Sequence, residues 1–258
     1  TDRLLVVLRV YFQKPRTTTG WKGLIYAPHL GQSFGIQACL RKARSLLLNL
    51  AEMCVHAGTE FLDLIVPQYL ADLLSWRTIG ARTTESQTHR KMASGLSMPV
   101  SFKNGADGNI QVAIDATVSA KSPHGFFGMD AKGRTAIIRT TGNSDVHIVL
   151  RGGKNGPNFN HGAITQAQDE LRNAGINPRL VVDCSHGNSS KEHQNQFCAL
   201  NDVVQQRIKG NKNITGCMLE SHVSPGDRSV NGNLSRLKYG VSIVDACIGW
   251  EETEELLN

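Results

Sequence analysis

At 258 residues, 40% hydrophobic and 19% charged, the chain has the composition of a soluble globular protein and the length of one α/β barrel. No apolar run approaches the roughly 18 residues that span a bilayer, and the first residues lack the order of a signal peptide, so we expect a cytoplasmic protein without a membrane segment. The net charge of +6 comes from dispersed cations among few aromatic residues, which favours small phosphorylated ligands over nucleic acid. Six dispersed cysteines predict free thiols.

Short apolar runs alternate with helical patterns along the chain. Apolar runs predict strands at residues 4–12, 61–66, 78–81, 99–102, 146–150, 180–184 and 214–219. Apolar residues at three- and four-residue spacing predict helices at 36–50, 68–76, 86–93, 110–120, 163–174 and 191–208. A β-hairpin with a polar turn is predicted near 124–139. This alternation indicates a parallel sheet buried on both faces, in a closed barrel or a doubly wound sheet.

Charged or imidazole side chains stand beside the predicted strands. They are Arg9 to Arg16, Glu60, Arg82, Lys103, Arg151, His186 and Glu220. The carboxyl ends of parallel strands in a barrel open onto one face. We therefore expect these side chains to converge on one pocket.

The cations fall into patterns that suit phosphate binding. Residues 9–18 lead a strand into a turn with Lys14, Arg16 and two threonines, where a guanidinium fork, a mobile ammonium group and hydroxyls can surround a phosphate. Arg82, Lys103 and Arg151 each lie near a glycine that lets a ligand approach the backbone. A solvated basic loop or simple turns would explain single cases, but the recurrence at strand ends favours a phosphorylated ligand.

Acidic and imidazole side chains suggest a metal site. His186, Glu220 and Asp245 follow separate strands and form a nitrogen and oxygen ligand set suited to Mn²⁺, Fe²⁺, Co²⁺ or Zn²⁺. Structural hydrogen bonds are the alternative role for such residues. Cys184 shares strand parity with His186, and it could be a thiolate ligand or a small core residue; we expect the core role.

Six motifs in correct order closely resemble the type I 3-deoxy-D-arabino-heptulosonate 7-phosphate (DAHP) synthases, over essentially the whole chain. The motifs are Lys14–Leu24, Gly80–Gln87, Phe102–Gly105, Leu150–Gly153, Asp183–Ser190 and Asp245–Trp250. The resemblance implies an α/β fold of the (β/α)8 TIM-barrel type, with residues 1–258 forming a single catalytic domain that lacks the family's N-terminal extension. It also implies a homo-oligomer, either a dimer or a tetramer.

The activity that the resemblance implies is a transferase reaction. Phosphoenolpyruvate condenses with D-erythrose 4-phosphate to give DAHP and phosphate, the first step of the shikimate pathway to aromatic amino acids. A divalent metal would act as a Lewis acid on the aldehyde oxygen, with Lys14 as general acid and His186 and Asp245 as further catalytic residues.

The resemblance also implies binding roles, matched position by position. Phosphoenolpyruvate binding is expected at Arg9, Lys14, Glu60, Gly80, Ala81, Arg82, Lys103 and Arg151. Erythrose 4-phosphate binding is expected at Pro15, Arg16, Thr17 and Asp245. The expected metal ligands are His186, Glu220 and Asp245.

The chain departs from the family pattern between Val7 and Leu8. Family members carry there a Gly-Pro-Cys segment that supplies a cysteine metal ligand, followed by a helix and the start of a second strand. With that segment absent, seven parallel strands remain where a barrel needs eight, and two strand edges should lie unpaired. Either the chain is a catalytically impaired relative that binds a phosphorylated ligand or a partner, or a segment between Val7 and Leu8 is missing from this sequence. The retained motifs favour the second. A smaller departure is Gln13, where the family usually has glutamate.

Overall fold

The structure is a computed structural model, and it describes residues 4–13, 21–27, 29–30, 35–130, 132–228 and 234–258. The chain divides into two compact units. The first comprises Thr1–Lys103 with Asp115–His147, and the second comprises Asn104–Ile114 with Ile148–Asn258. None of the described helices has the length and apolar content that crossing a bilayer requires.

Four parallel strands form the framework of the first unit, and they pair in chain order. They are β1 (Val7–Arg9), β2 (His56–Glu60), β3 (Trp76–Ile79) and β4 (Val100–Lys103). The helices are α1 (Ile36–Glu52), α2 (Pro67–Leu70), α3 (Gln87–Ala93) and α4 (Gln111–Lys121), with a 3₁₀ turn at Ala71–Leu73. Because the strands are parallel, their carboxyl ends lie at the same edge, where Arg9, Glu60 and Lys103 end β1, β2 and β4.

Helix α1 shows how the sequence builds the core of this unit. Its buried residues Cys39, Ala43 and Leu47 recur every fourth position, which places them on one face of the helix. That face packs against the sheet and the following turns. The apolar cluster there consists of Phe12, Ile25, Ala43, Leu47, Ala57, Phe61, Val66, Leu70, Leu74, Met92 and Met98.

The predicted hairpin is confirmed. Strands β5 (Gly125–Met129) and β6 (Thr135–Arg139) pair antiparallel. The Asp130 carboxylate closes the turn by accepting hydrogen bonds from the Lys132 and Arg134 backbone N–H groups, both at 2.9 Å. Gly133 has a φ of +76°, a conformation that favours glycine.

The second unit contains three parallel strands that also pair in chain order. They are β7 (Val146–Leu150), of which Ile148–Leu150 belong to this unit, β8 (Leu180–Asp183) and β9 (Ile214–Met218). The helices are α5 (His161–Asn173), α6 (Gln196–Ile208) and α7 (Trp250–Leu257), with 3₁₀ turns at His193–Asn195 and Leu234–Arg236. A short parallel pair, β10 (Ser224–Asp227) and β11 (Val241–Ser242), follows β9.

Two sequence predictions are wrong in position. The strand predicted at 61–66 lies earlier, at His56–Glu60, and Phe61–Val66 forms a turn in which the Asp63 carboxylate accepts from Ile65 N at 2.8 Å. Phe61 and Val66 are buried, so this apolar run marks the core rather than a strand. The helix predicted at 68–76 ends at Leu70, because Trp76 already belongs to β3.

The α/β class with parallel strands is confirmed. Strand β1 is terminal in the first group of strands and β9 is terminal in the second, as expected if one β/α unit is absent. Leu4, Leu5 and Val6, which lead into β1, are 55%, 75% and 57% exposed. β1 itself is also partly exposed, with Leu8 at 43%, whereas parallel strands are ordinarily buried on both faces.

Candidate active site

Three predicted metal ligands come together in the second unit. Their ligand atoms, one each from His186, Glu220 and Asp245, all lie within 4.8 Å of one another. His186 Nε2 is 3.7 Å from Glu220 Oε1 and 3.9 Å from Asp245 Oδ2. Two atoms that are each about 2.1 Å from one ion are at most about 4.2 Å apart. The two distances from His186 lie inside this limit, and the donor types suit a divalent cation.

Neighbouring side chains orient these ligands. Asp183 Oδ2 lies 3.0 Å from His186 Nδ1, which leaves Nε2 facing the two carboxylates. The Ser185 hydroxyl donates to Glu220 Oε2 at 2.7 Å, so Oε1 remains on the side of His186. A carboxylate on the distal imidazole nitrogen and a hydroxyl on a ligating carboxylate are typical supports of protein metal sites.

The backbone also contributes to the position of these ligands. Strand β8 ends at Asp183, and His186 has a φ of +59°, a left-handed conformation that is uncommon for a side chain other than glycine. Gln196, at the start of α6, exchanges two hydrogen bonds with the Glu220 backbone, at 2.7 and 3.1 Å. His186 thus occupies an uncommon backbone conformation at the centre of the cluster, as often occurs at functional sites.

Cys184 takes the core role. It is buried and packs with Ala199 and Leu200 of α6. A hydrogen bond with Cys217, together with burial, raises the pKa of the Cys184 thiol, which keeps it protonated. His186 lies beyond the end of β8, so the shared strand parity predicted for it and Cys184 does not apply.

The predicted phosphoenolpyruvate residues of the first unit lie at its strand ends. Glu60 ends β2 and is 8% exposed, and Gly80 follows β3. A Cβ atom on Gly80 would overlap Glu60 Oε1, so the missing side chain makes room for this carboxylate. The other members are Arg9 at the end of β1, Ala81 and Arg82 after β3, and Lys103 at the end of β4.

Thr84 ties two of these strand ends together. Its hydroxyl donates to the Lys103 carbonyl at 2.8 Å and to the Gly80 carbonyl at 3.0 Å. The turn that carries Arg82 is thereby attached to the end of β4. Lys14, Pro15, Arg16 and Thr17 lie outside the residues that the structure describes.

Arg151 belongs to the second unit and follows β7. Its backbone N–H donates to Asn104 Oδ1 at 2.8 Å, and its carbonyl accepts from Gly187 N at 3.0 Å. Sequence reasoning assigned no role to Asn104, Ser185 or Gln196. Asp183 and Ser185 lie three and one positions before the predicted ligand His186, and this closeness was the signal that could have identified them.

Comparisons with known proteins agree along the chain. The model of the DAHP synthetase I family matches residues 1–258. The Tyr-sensitive phospho-2-dehydro-3-deoxyheptonate aldolase of Escherichia coli K12 is 52% identical over 257 residues, which cover 100% of this chain and 72% of that protein. The Phe-sensitive enzyme of the same organism is 53% identical over 256 residues, covering 99% and 73%.

A solved structure agrees as well. The phospho-2-dehydro-3-deoxyheptonate aldolase of Francisella tularensis SCHU S4 superposes with a TM-score of 0.93 at 47% identity, covering 97% of this chain and 73% of that one. This agreement supports the TIM-type barrel class that the sequence motifs imply.

Proposed function

This chain belongs to the DAHP synthetase I family, and from that premise we propose that it condenses phosphoenolpyruvate with D-erythrose 4-phosphate to give DAHP and phosphate. The reaction is the first step of aromatic amino acid biosynthesis and makes the protein a transferase. The observation that carries the proposal is the cluster of His186, Glu220 and Asp245, whose donor set and spacing suit a divalent metal.

The proposed roles follow from charge and position. Arg9, Arg82, Lys103 and Arg151 supply cations for the phosphate and carboxylate groups of phosphoenolpyruvate. Pro15, Arg16, Thr17 and Asp245 are proposed to bind erythrose 4-phosphate, and Lys14 to donate a proton to the aldehyde oxygen. Asp183 Oδ2 lies 3.0 Å from His186 Nδ1, and His186 Nε2 lies on the side of Glu220 and Asp245. When bound, Mn²⁺, Fe²⁺, Co²⁺ or Zn²⁺ would polarise the aldehyde carbonyl as a Lewis acid.

A direct assay tests this proposal. Phosphoenolpyruvate loss and phosphate release are followed with erythrose 4-phosphate and Mn²⁺, and then again after chelation and after readdition of metal. We expect turnover that requires both substrates, stops with chelator and returns with metal. Turnover that continues in excess chelator would overturn the metal-dependent mechanism.

A second candidate is a catalytically impaired relative that binds a phosphorylated ligand or a partner. The specific observation is that β1 runs directly from Val7 to Arg9, with Leu8 inside the strand, where the family pattern has a cysteine ligand and one further β/α unit. Saturable phosphoenolpyruvate binding without turnover would favour this candidate. Insertion of the family's Gly-Pro-Cys segment and following unit should then create activity.

The cellular setting, the oligomeric state and the number of domains complete the proposal. We propose a cytoplasmic setting, which the six free cysteines support, because thiols stay reduced there. A homo-oligomer, either dimer or tetramer, and a single catalytic domain stay predictions from the family resemblance. Light scattering coupled to gel filtration would measure the oligomeric state.

A further inference from the structure

Three buried asparagines link the loops of the second unit. Asn104, Asn158 and Asn188 are 0%, 9% and 4% exposed, and they follow β4, β7 and β8 respectively. A carboxamide offers both donors and an acceptor, so it can bridge backbone groups of different strands without burying a charge. We refer to these three residues as the asparagine ladder.

The first part of the ladder holds the backbone around Arg151. Asn104 Oδ1 accepts from Arg151 N at 2.8 Å and from Asn158 Nδ2 at 3.3 Å, while Asn104 Nδ2 donates to the Gly152 carbonyl at 3.0 Å. Asn158 Oδ1 accepts from Gly152 N at 2.7 Å. The peptide groups on both sides of Arg151 are therefore fixed by side chains, one from the distant Asn104 and one from Asn158 in the following loop.

The second part connects this segment to the loop that carries His186. Asn188 Nδ2 donates to the Leu150 carbonyl at 3.2 Å and to the Asp183 carbonyl at 2.8 Å, which bridges the ends of β7 and β8. Asn188 Oδ1 accepts from Asn158 N at 2.8 Å, which completes the connection to the rest of the ladder.

The backbones of the two loops are also in direct contact. Gly187 N donates to the Arg151 carbonyl at 3.0 Å. A Cβ atom on Gly152 would overlap the backbone of Gly187 and Asn188, and one on Gly187 would overlap the backbone of Gly152 and Gly153. Arg151 and the residue after His186 are thus held within one hydrogen bond of each other, so neither loop can shift without the other.

We infer that Asn104, Asn158 and Asn188 are positioning residues that fix Arg151 and His186 relative to each other, so that phosphoenolpyruvate bound at Arg151 strengthens metal binding at His186. This inference rests on the proposed function, since it assigns the phosphorylated ligand to Arg151 and the metal to His186. Such linkage is reciprocal, because each ligand favours the same arrangement of the two loops. The ladder side chains bond to backbone groups and to one another, so they act through the backbone.

The test measures binding rather than turnover. The dissociation constant of Mn²⁺ is determined by calorimetry with and without saturating phosphoenolpyruvate. We expect wild-type protein to bind Mn²⁺ more tightly with phosphoenolpyruvate, by about 5- to 150-fold, the usual range for linked sites. We call the Mn²⁺ dissociation constant without phosphoenolpyruvate, divided by the constant with it, the affinity ratio. In Asn188→Ala this affinity ratio should fall towards one.

Asn143 offers a matched control. It is 5% exposed, and its Nδ2 donates to the carbonyls of Ala93, Leu96 and Met98 in the first unit. Asn143→Ala should lower thermal stability much as Asn188→Ala does, but keep the wild-type ratio of Mn²⁺ affinities. If Asn188→Ala fails to fold, Asn158→Ala serves in its place, because it removes the donor to Asn104 and the acceptor of Gly152 N without adding a charge.

The outcomes separate the inference from the proposed function. The inference is supported if the ratio of Mn²⁺ dissociation constants falls towards one in the ladder variants but keeps its wild-type value in Asn143→Ala. A wild-type ratio of one, or an unchanged ratio in the ladder variants, overturns it and leaves the proposed function standing. If wild-type protein binds neither Mn²⁺ nor phosphoenolpyruvate, the proposed function fails and the inference fails with it.

Discussion

The end of β2 in the first unit is held by a buried cation, whereas the ends of β7 and β8 in the second unit are held by neutral amides. Arg77 is fully buried, donates from Nη2 to the Phe61 carbonyl at 3.1 Å and lies 4.5 Å above the Phe61 ring. No described residue accepts from its Nε or Nη1. Burial lowers the pKa of Arg77 to about 9.

The two kinds of support differ in the free energy of desolvation that each requires. Each amide of the asparagine ladder satisfies its hydrogen-bonding groups without removing a charge from water, whereas the Arg77 guanidinium loses its hydration and recovers it only in part. Substitutions in the second unit should therefore disturb ligand geometry, and replacing Arg77 together with its charge partner Glu60 should cost little stability. Four experiments test this contrast, in order of decreasing effect.

The largest effect is expected for His186→Ala. Removing a ligand should weaken Mn²⁺ binding by more than about 100-fold, since even supporting residues of metal sites contribute about 10- to 100-fold. The free energy of unfolding should change by less than about 1 kcal/mol, because the imidazole adds little to the core. Calorimetry and urea denaturation measure the two quantities. His161→Ala, in the exposed first turn of α5, is the control. A large loss of stability, with unchanged Mn²⁺ affinity under conditions where the variant is folded, would establish a structural role for His186 instead.

The same change at two glycines compares the units directly. Gly152→Ala places a methyl group against the Gly187 and Asn188 backbone at a φ of +69°, and should cost about 2 to 4 kcal/mol of stability. Gly80→Ala meets only the Glu60 carboxylate, which can move, and should cost about 1 kcal/mol while weakening phosphoenolpyruvate binding. Urea denaturation gives both values. Equal losses at the two positions would contradict the contrast between the units.

A pH dependence is expected from His147 in the first unit. Its Nε2 accepts from Trp76 Nε1 at 3.1 Å, which requires the neutral imidazole, and burial lowers the pKa of His147 to about 4. In the unfolded chain His147 is protonated near pH 6.5, whereas in the folded chain it stays neutral down to about pH 4. The stability that neutral His147 contributes is therefore fully present above pH 6.5 and is lost as the pH drops towards 4. Between pH 7 and pH 5 the loss should be about 2 kcal/mol.

His147→Gln isolates that contribution, because glutamine can accept the Trp76 hydrogen bond but does not titrate. Denaturation of both proteins at pH 7 and pH 5 should show that the free energy of unfolding falls less in the variant than in wild type. If the two losses are the same, the titration of His147 does not affect stability.

The smallest effect is expected for the double variant Arg77→Met with Glu60→Gln. The guanidinium is buried with two unsatisfied N–H groups and its charge interacts with the buried Glu60 carboxylate, so replacing both charges should leave stability within about 1 kcal/mol of wild type or increase it. Asn143→Leu provides the contrast, since it leaves the carbonyls of Ala93, Leu96 and Met98 without their donor and should cost about 2 kcal/mol or more. A larger loss for the double variant than for Asn143→Leu would show that the buried charges are the stronger support.

The sequence predicted the residues that carry chemistry better than the residues that hold them. His186, Glu220 and Asp245 were predicted from their side-chain types beside separate strands, and the structure brings them within 4.8 Å. Asn104 was not assigned a role, because its partner Arg151 is 47 positions away and an asparagine before a glycine looks like a simple turn. Periodicity also misplaced β2, since buried turns and buried strands are similarly apolar.

By itself, the sequence determined the α/β class, the helix α1, the hairpin and the residue types available for metal and phosphate binding. These follow from local properties, namely hydrophobic period, turn chemistry and the charge of each side chain. The tertiary structure decided which carbonyls the asparagine ladder bridges, which face of His186 meets the carboxylates and that Arg77 is buried without full hydrogen bonding. Those features depend on strand pairing between distant segments, which brings groups together irrespective of their spacing along the chain.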